Sequence, residues 1–188
     1  MAAVNGHVHT ITALVEDRPG VLTRVSGLFR RRGFNISSLA VGASEQPNLS
    51  RMTFVVHGDE WVVEQVTKQL YKLVDVVRVN DISHEQVVAR ELALIKVKAS
   101  ADTRSEIIQI VDIFRAGIVD VAADTVIVEV TGDEEKVDAI MKLLKPFGIR
   151  EVMRTGRIAM ARGAAATGAK PASAPVAAQS APDTEVVP

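Results

Sequence analysis

The residues best placed to do chemistry lie near the N-terminus, in Asp17-Arg18-Pro19-Gly20-Val21-Leu22. An apolar run, Ile11 to Val15, leads into them, and an amphipathic run, Val21 to Arg32, leads out. That pattern is a strand, a sharp turn and a helix start. Pro19 lacks an N–H and has φ preset, which suits a first helical turn. Gly20 has no Cβ, so a small ligand can approach the backbone there. The amides of Val21 and Leu22 fall among the free donors of a helix N-terminus, where the dipole favours an anion such as a carboxylate. Asp17, beside them, can accept from an ammonium group. The turn therefore offers a partner to each half of an α-amino acid's head group. The same residues also serve simply to begin a helix, and local sequence does not separate the two readings. Asn35 follows, two residues after Gly33, where helix gives way to strand; its amide can both donate and accept, toward a ligand or toward local backbone.

Other constellations are weaker. Of the four histidines, His7, His9, His57 and His84, the first two are close in sequence, but neither has a carboxylate at metal-ligand spacing, so no metal site is expected. The chain has no cysteine, which excludes disulfides and thiolate chemistry. Nucleotide-binding glycine loops and serine-nucleophile motifs are missing. Glu134-Glu135 are adjacent and do not share a helix face, which suits a solvated helix start better than an acid/base pair. Arg30-Arg31-Arg32 match the negative end of a helix dipole. An RNA-binding sheet usually stacks bases on aromatics, and aromatics are 4% of this chain, with a net charge of −1. No nucleic-acid partner is expected, and no apolar stretch is long enough for a membrane span. With no leader pattern at Met1 to Thr10, the expected compartment is the cytoplasm.

Elements positioning these residues follow from periodicity. A strand is predicted from about His9 to Val15. The next helix places Val21, Leu22, Val25, Leu28 and Phe29 on one face and ends at Gly33. Strands are predicted at Phe34–Ala43 and Arg51–His57, a helix after Gly58-Asp59 carrying Val62, Val66, Leu70 and Leu73, and a strand at Val74–Val79. The order β-α-β-β-α-β is that of a ferredoxin-like unit. Asn80 to Arg90 reads as a polar linker. The order then recurs: a strand at Leu92–Ala99, a helix opened by Thr103 and Glu106 at capping-box spacing, a hairpin of Ile118–Ala122 and Thr125–Val130, a helix with Val137, Ile140, Met141 and Leu144, and a last strand from Ile149 to Val152 that can extend toward Met160. The predicted class is α+β, with two tandem ferredoxin-like units at residues 9–81 and 90–161. The second lacks the Asp-x-x-Gly turn; its counterpart is Ser100-Ala101-Asp102-Thr103-Arg104. Residues 164–188, rich in alanine and proline, are expected to be disordered.

On these residues the first unit resembles an ACT domain. Asp17 to Leu22, Arg31-Arg32-Gly33-Phe34-Asn35-Ile36 with Ser38-Leu39, Leu49-Ser50-Arg51-Met52-Thr53 and Lys68-Gln69-Leu70 together are similar to the acetolactate synthase small-subunit family. So are Arg90 to Val97, Phe114-Arg115 and Ile118-Val119-Asp120-Val121 of the second unit. The resemblance runs from about His9 to Arg162. It implies a regulatory subunit without catalytic residues or a cofactor of its own. Its partner would be a large catalytic subunit carrying thiamine diphosphate, magnesium and FAD, which it activates and makes sensitive to valine. It also implies a homodimer whose effector, valine or another branched-chain amino acid, lies between two ACT units. Gly20, Val21 and Leu22 would hold the carboxylate, with Asn35 and Ile36 supplied by the partner copy. Asp17 stands where the family often has asparagine, and would still suit the ammonium. A stand-alone amino-acid sensor acting on another protein is the alternative.

Overall fold

The computed structural model describes residues 7–163; the tail expected at 164–188 and most of the N-terminal lead-in lie outside the described residues. The first unit runs β1 (His7–Glu16), α1 (Val21–Arg32), β2 (Ile36–Ala43), β3 (Leu49–Gly58), α2 (Glu60–Leu70) and β4 (Val76–Asp81). Its antiparallel sheet has the order β2-β3-β1-β4. Alternation along β1 and β3 sends Ile11, Ala13 and Val15 with Met52, Phe54 and Val56 toward the helices. There they meet Val21, Val25, Leu28 and Phe29 of α1 and Val63, Val66 and Leu70 of α2. Phe29 stacks on Phe54 with ring centroids 5.3 Å apart. Gly33 ends α1 at φ 70°, a left-handed conformation that favours glycine.

The second unit repeats the plan with β5 (Val87–Lys98), α3 (Arg104–Ile113), β6 (Gly117–Val121), β7 (Thr125–Gly132), α4 (Glu134–Leu144) and β8 (Ile149–Arg154), in sheet order β6-β7-β5-β8. Ile95, Val97, Ile107, Val128, Ile140 and Leu144 are fully buried in its core. The chain is thus α+β with two ferredoxin-like units.

Several expectations differ from what is observed, among them Leu22, which is exposed and not on the buried face of α1. The region read as linker is largely structured: Asn80 and Asp81 belong to β4, Ile82 is buried, and β5 begins at Val87. The stretch from Ile149 to Met160 is two strands, not one. After β8 the chain turns at Gly156, φ 84°, and forms β9 (Ile158–Ala161), which pairs with the Val87–Arg90 half of β5. The capping box at Thr103 and Glu106 does not form. Thr103 makes no side-chain cap, its Oγ1 instead accepting from the Ser100 N–H at 3.1 Å.

The β5/β9 ribbon joins the units. Gly156 sits against Ser38 and Leu39 of β2, and the Arg157 N–H donates to Ser38 Oγ at 2.9 Å. The Arg157 guanidinium reaches Thr10 Oγ1 at 3.2 Å on one side and Glu134 of α4 on the other. A Cβ at Gly156 would lie 2.8 Å from Ser38 Oγ and 3.1 Å from the Leu39 carbonyl, in a backbone conformation that side chains rarely adopt. Gly156→Ala should therefore lower the urea midpoint of the full chain, by about 1–3 kcal/mol of stability; an unchanged midpoint would show that this junction adds nothing to stability.

Candidate functional site

The turn after β1 is built from behind. Asp75, in the turn before β4, has a side chain only 1% exposed, and it receives two guanidinium groups. Arg18 Nε donates to Asp75 Oδ1 at 2.9 Å and its Nη2 binds the same oxygen; Arg24 Nη1 donates to Oδ2. The main chain adds Glu16 N–H to the Asp75 carbonyl at 2.9 Å and Asp17 N–H to the Asn48 carbonyl at 2.8 Å. A buried carboxylate needs such partners, because an unpaired charge there is strongly unfavourable. Asp75 is the residue that the sequence reading missed. Its only signal was an acid inside the apolar run Val74-Asp75-Val76, and its partners lie 57 and 51 residues away.

The front of the turn is left open. Gly20 is the N-cap of α1 at φ 89°, with no side-chain cap and nothing within 4 Å of where a Cβ would stand. By contrast, Asp59 caps α2 and Asp133 caps α4, each accepting a backbone N–H at 2.9 Å. The Val21 N–H makes only a long contact, 3.4 Å, to the Arg18 carbonyl, and the Gly20 carbonyl accepts from Arg24 N–H at 3.0 Å. Asp17, Arg18, Pro19 and Gly20 are exposed, and Leu22 is 45% exposed. The first turn of α1 therefore has no side-chain cap: Val21 is buried and Leu22 is exposed behind the exposed residues Asp17 to Gly20.

Asn35 and Ile36 are not brought to this turn within one chain. Ile36 lies level with Val56 and His9, whereas the turn follows Glu16, level with Leu49. Seven strand residues separate the two levels, roughly 23 Å at about 3.3 Å per residue. Asn35 is exposed and Ile36 half-buried. β2 ends the sheet on their side. The opposite edge, β4, is covered in part: Tyr71 Oη donates to the Val79 carbonyl at 3.0 Å and accepts from its N–H at 3.1 Å. The open edge for pairing is thus β2.

The loop of the second unit that corresponds to the turn is filled by its own groups. Arg104 Nη2 donates to the carbonyls of Ala99, Ala122 and Ala123 at 3.2, 2.9 and 2.9 Å. Between the units lies a cavity of about 400 Å³ whose wall includes Ser37, Ser38, His57, Glu91, Arg154 and Arg157. Its charges pair within the protein, Arg154 with Glu91 and Asp138, and Arg157 with Glu134. Among the described residues, no helix is long and apolar enough to cross a membrane.

Residues 11–78 match the family model described as an AHAS small subunit-like ACT domain, and residues 90–163 match that of the small subunit of acetolactate synthase. A probable acetolactate synthase small subunit of Archaeoglobus fulgidus is 58% identical over 155 residues, covering 82% of this chain and 97% of its own. The acetolactate synthase small subunit of Mycolicibacterium smegmatis is 52% identical over 161 residues, covering 86% and 95%. The crystal structure of the acetolactate synthase small subunit from Thermotoga maritima superposes with a TM-score of 0.79 at 45% identity, covering 85% of this chain and 99% of that one.

The hydrogen bond from Arg18, then that from Arg24, holds the Asp75 carboxyl below the usual carboxylate range, against the opposing effect of burial. With the folded pKa depressed, the folded state binds fewer protons than the unfolded state between that pKa and the unfolded value near ~4. The stabilisation is present in full above that value and is lost as pH falls through the folded pKa. Urea midpoints followed from pH 6 downward should fall in the acid range for the wild type, and Asp75→Asn should flatten that fall while lowering the neutral-pH midpoint. Parallel curves would show that the arginine pair does not anchor the turn.

Proposed function

The chain belongs to the family of acetolactate synthase small subunits, and we propose that it is the non-catalytic regulatory subunit of that enzyme. In this reading it works in the cytoplasm, activates a thiamine-diphosphate-dependent large subunit and makes it sensitive to valine or another branched-chain amino acid. Thiamine diphosphate, magnesium and FAD belong to the large subunit. The observation that carries the effector reading is the open start of α1: a helix N-terminus anchored by Asp75 from behind and uncapped in front. The effector's carboxylate sits against the amides of Val21 and Leu22, close to Gly20, and its ammonium faces Asp17.

The pocket is completed by a second copy. Pairing of two β2 edges in a homodimer turns the Asn35–Ile36 end of one protomer toward the Asp17–Leu22 turn of its partner. What supports this is that the two halves lie at opposite ends of one sheet and that β2 is the uncovered edge. Ile36 then contacts the effector side chain and Asn35 its polar head. The effector acts by binding two arrangements of the dimer unequally, since equal binding would shift neither. For the large subunit we assign the outer face of the second sheet, where Leu94 and Met153 are 36% and 62% exposed.

Two experiments test this reading. Gly20→Asp and Gly20→Asn share the strain of φ 89°, but only the first sets a charge against the effector carboxylate. Calorimetric titration of the full chain with valine, leucine and isoleucine should show binding lost in Gly20→Asp and partly kept in Gly20→Asn. Asn35→Ala should weaken binding by about 1–3 kcal/mol; equal affinities across all three variants would move the effector elsewhere. Met153→Glu should abolish activation of the large subunit while valine affinity stays unchanged, and full activation by that variant would remove the assigned surface.

A further inference from the structure

The fold gathers one group of side chains that the effector reading leaves unused. His9 of β1, Asp81 at the end of β4 and His84 in the turn that follows each present a ligand atom, and these atoms lie within 4.8 Å of one another. His9 is 1% exposed, and neither of its ring nitrogens has a hydrogen-bond partner. Buried polar atoms are nearly always satisfied, so an imidazole with both nitrogens unmet calls for a missing partner. Its ring meets that of His84 edge-on, with centroids 6.3 Å apart.

Two of the three residues, His84 and Asp81, already have partners of the kind that orient metal ligands. A ligating histidine usually gives its other nitrogen to a carboxylate or carbonyl, and a ligating carboxylate is itself hydrogen-bonded. His84 Nε2 lies 3.1 Å from Glu60 Oε1, which leaves Nδ1 for the cluster. Asp81 Oδ1 accepts from the Ser83 N–H at 2.9 Å and from the Ser83 hydroxyl, and Ser83 Oγ accepts from the Thr10 N–H at 2.9 Å. The exposed position of His84 gives an entry path from solvent.

We propose that His9, Asp81 and His84 form a binding site for a divalent transition metal ion, zinc by preference. Two imidazoles and one carboxylate suit zinc over calcium or magnesium, which take oxygen ligands, and a water completes four-fold coordination. The ion's role is to hold chain segments together. It ties the first strand of the first unit to the segment Asp81–His84, from which the chain passes into β5. It thereby fixes the exit from the ACT unit, where Ile82 N–H already bonds to the Thr10 carbonyl at 3.0 Å.

The test uses the full chain stripped by chelator dialysis and titrated with zinc against a chromophoric chelator, with cobalt(II) as a spectroscopic probe. The wild type should bind one ion per chain, gain thermal stability with added zinc, and show the intense visible bands of tetrahedral cobalt. His84→Ala, at an exposed position, and Asp81→Asn, which keeps an acceptor for Ser83, should each weaken zinc binding at least about tenfold and lose those bands. His7→Ala should behave as the wild type. Absence of zinc binding by the wild type at micromolar concentration, or undiminished binding by His84→Ala, overturns the proposal.

Discussion

The carboxylate of Asp75, enclosed between Arg18 and Arg24, is the contact on which the turn before α1 depends. It spans three pieces of chain that local sequence does not connect: the turn after β1, the first turn of α1 and the turn before β4. A helix start normally gains stability from a side chain placed over its free amides, as Asp59 and Asp133 do for α2 and α4. At α1 that device is absent. The turn is held through its arginines and through main-chain bonds to Asp75 and Asn48. Support thus comes from Asp75 and not from a cap over the amides of the first turn. An effector bound at those amides would compete with no internal cap.

The same economy separates the two halves of the molecule. Both units have the ferredoxin-like order, and both open their first helix after a short loop. In the first, glycine at a left-handed φ leaves the loop hollow. In the second, Arg104 turns back and donates to three carbonyls, filling the equivalent space. Duplication of the fold therefore does not duplicate this turn, because the two units share a sheet order and differ in loop chemistry.

Much of this was legible in the sequence wherever structure is local. The period of apolar residues from Val21 to Phe29 and the glycine at 33 mark α1, whose bounds are Val21–Arg32. The recurrence of the strand and helix order marks the second unit. Most of what the sequence concealed depends on partners far away in the chain. Val87 and Val88 lie among polar residues and read as linker, yet they form a strand because Met160 and Ala161 come back to pair with them. Thr103 and Glu106 have the spacing of a capping box, but Ser100 is a nearer partner for the threonine hydroxyl. His9 shows no carboxylate in its own segment, and Asp81 reaches it only because β4 lies beside β1 in the sheet. The first and last of these are contacts set by strand pairing, which periodicity does not encode, whereas the threonine makes a local choice between two partners.

The junction between the units also constrains how two copies can meet. Gly156 and Arg157 lie against Ser38 and Leu39, so the outer face of the first sheet is occupied near the start of β2 by the chain's own second unit. The helix face is filled by α1 and α2. Tyr71 bridges part of the β4 edge. In the proposed dimer this leaves the β2 edge, the strand that carries Ile36 at its start, as the edge available for pairing. Because Ser38 on that strand accepts a hydrogen bond from the Arg157 backbone, β2 cannot shift along its axis without breaking or dragging a contact to the second unit. A rearrangement at the edge and the position of the second unit are therefore mechanically linked through one strand, which is the physical condition that a subunit signalling from one half to the other has to meet.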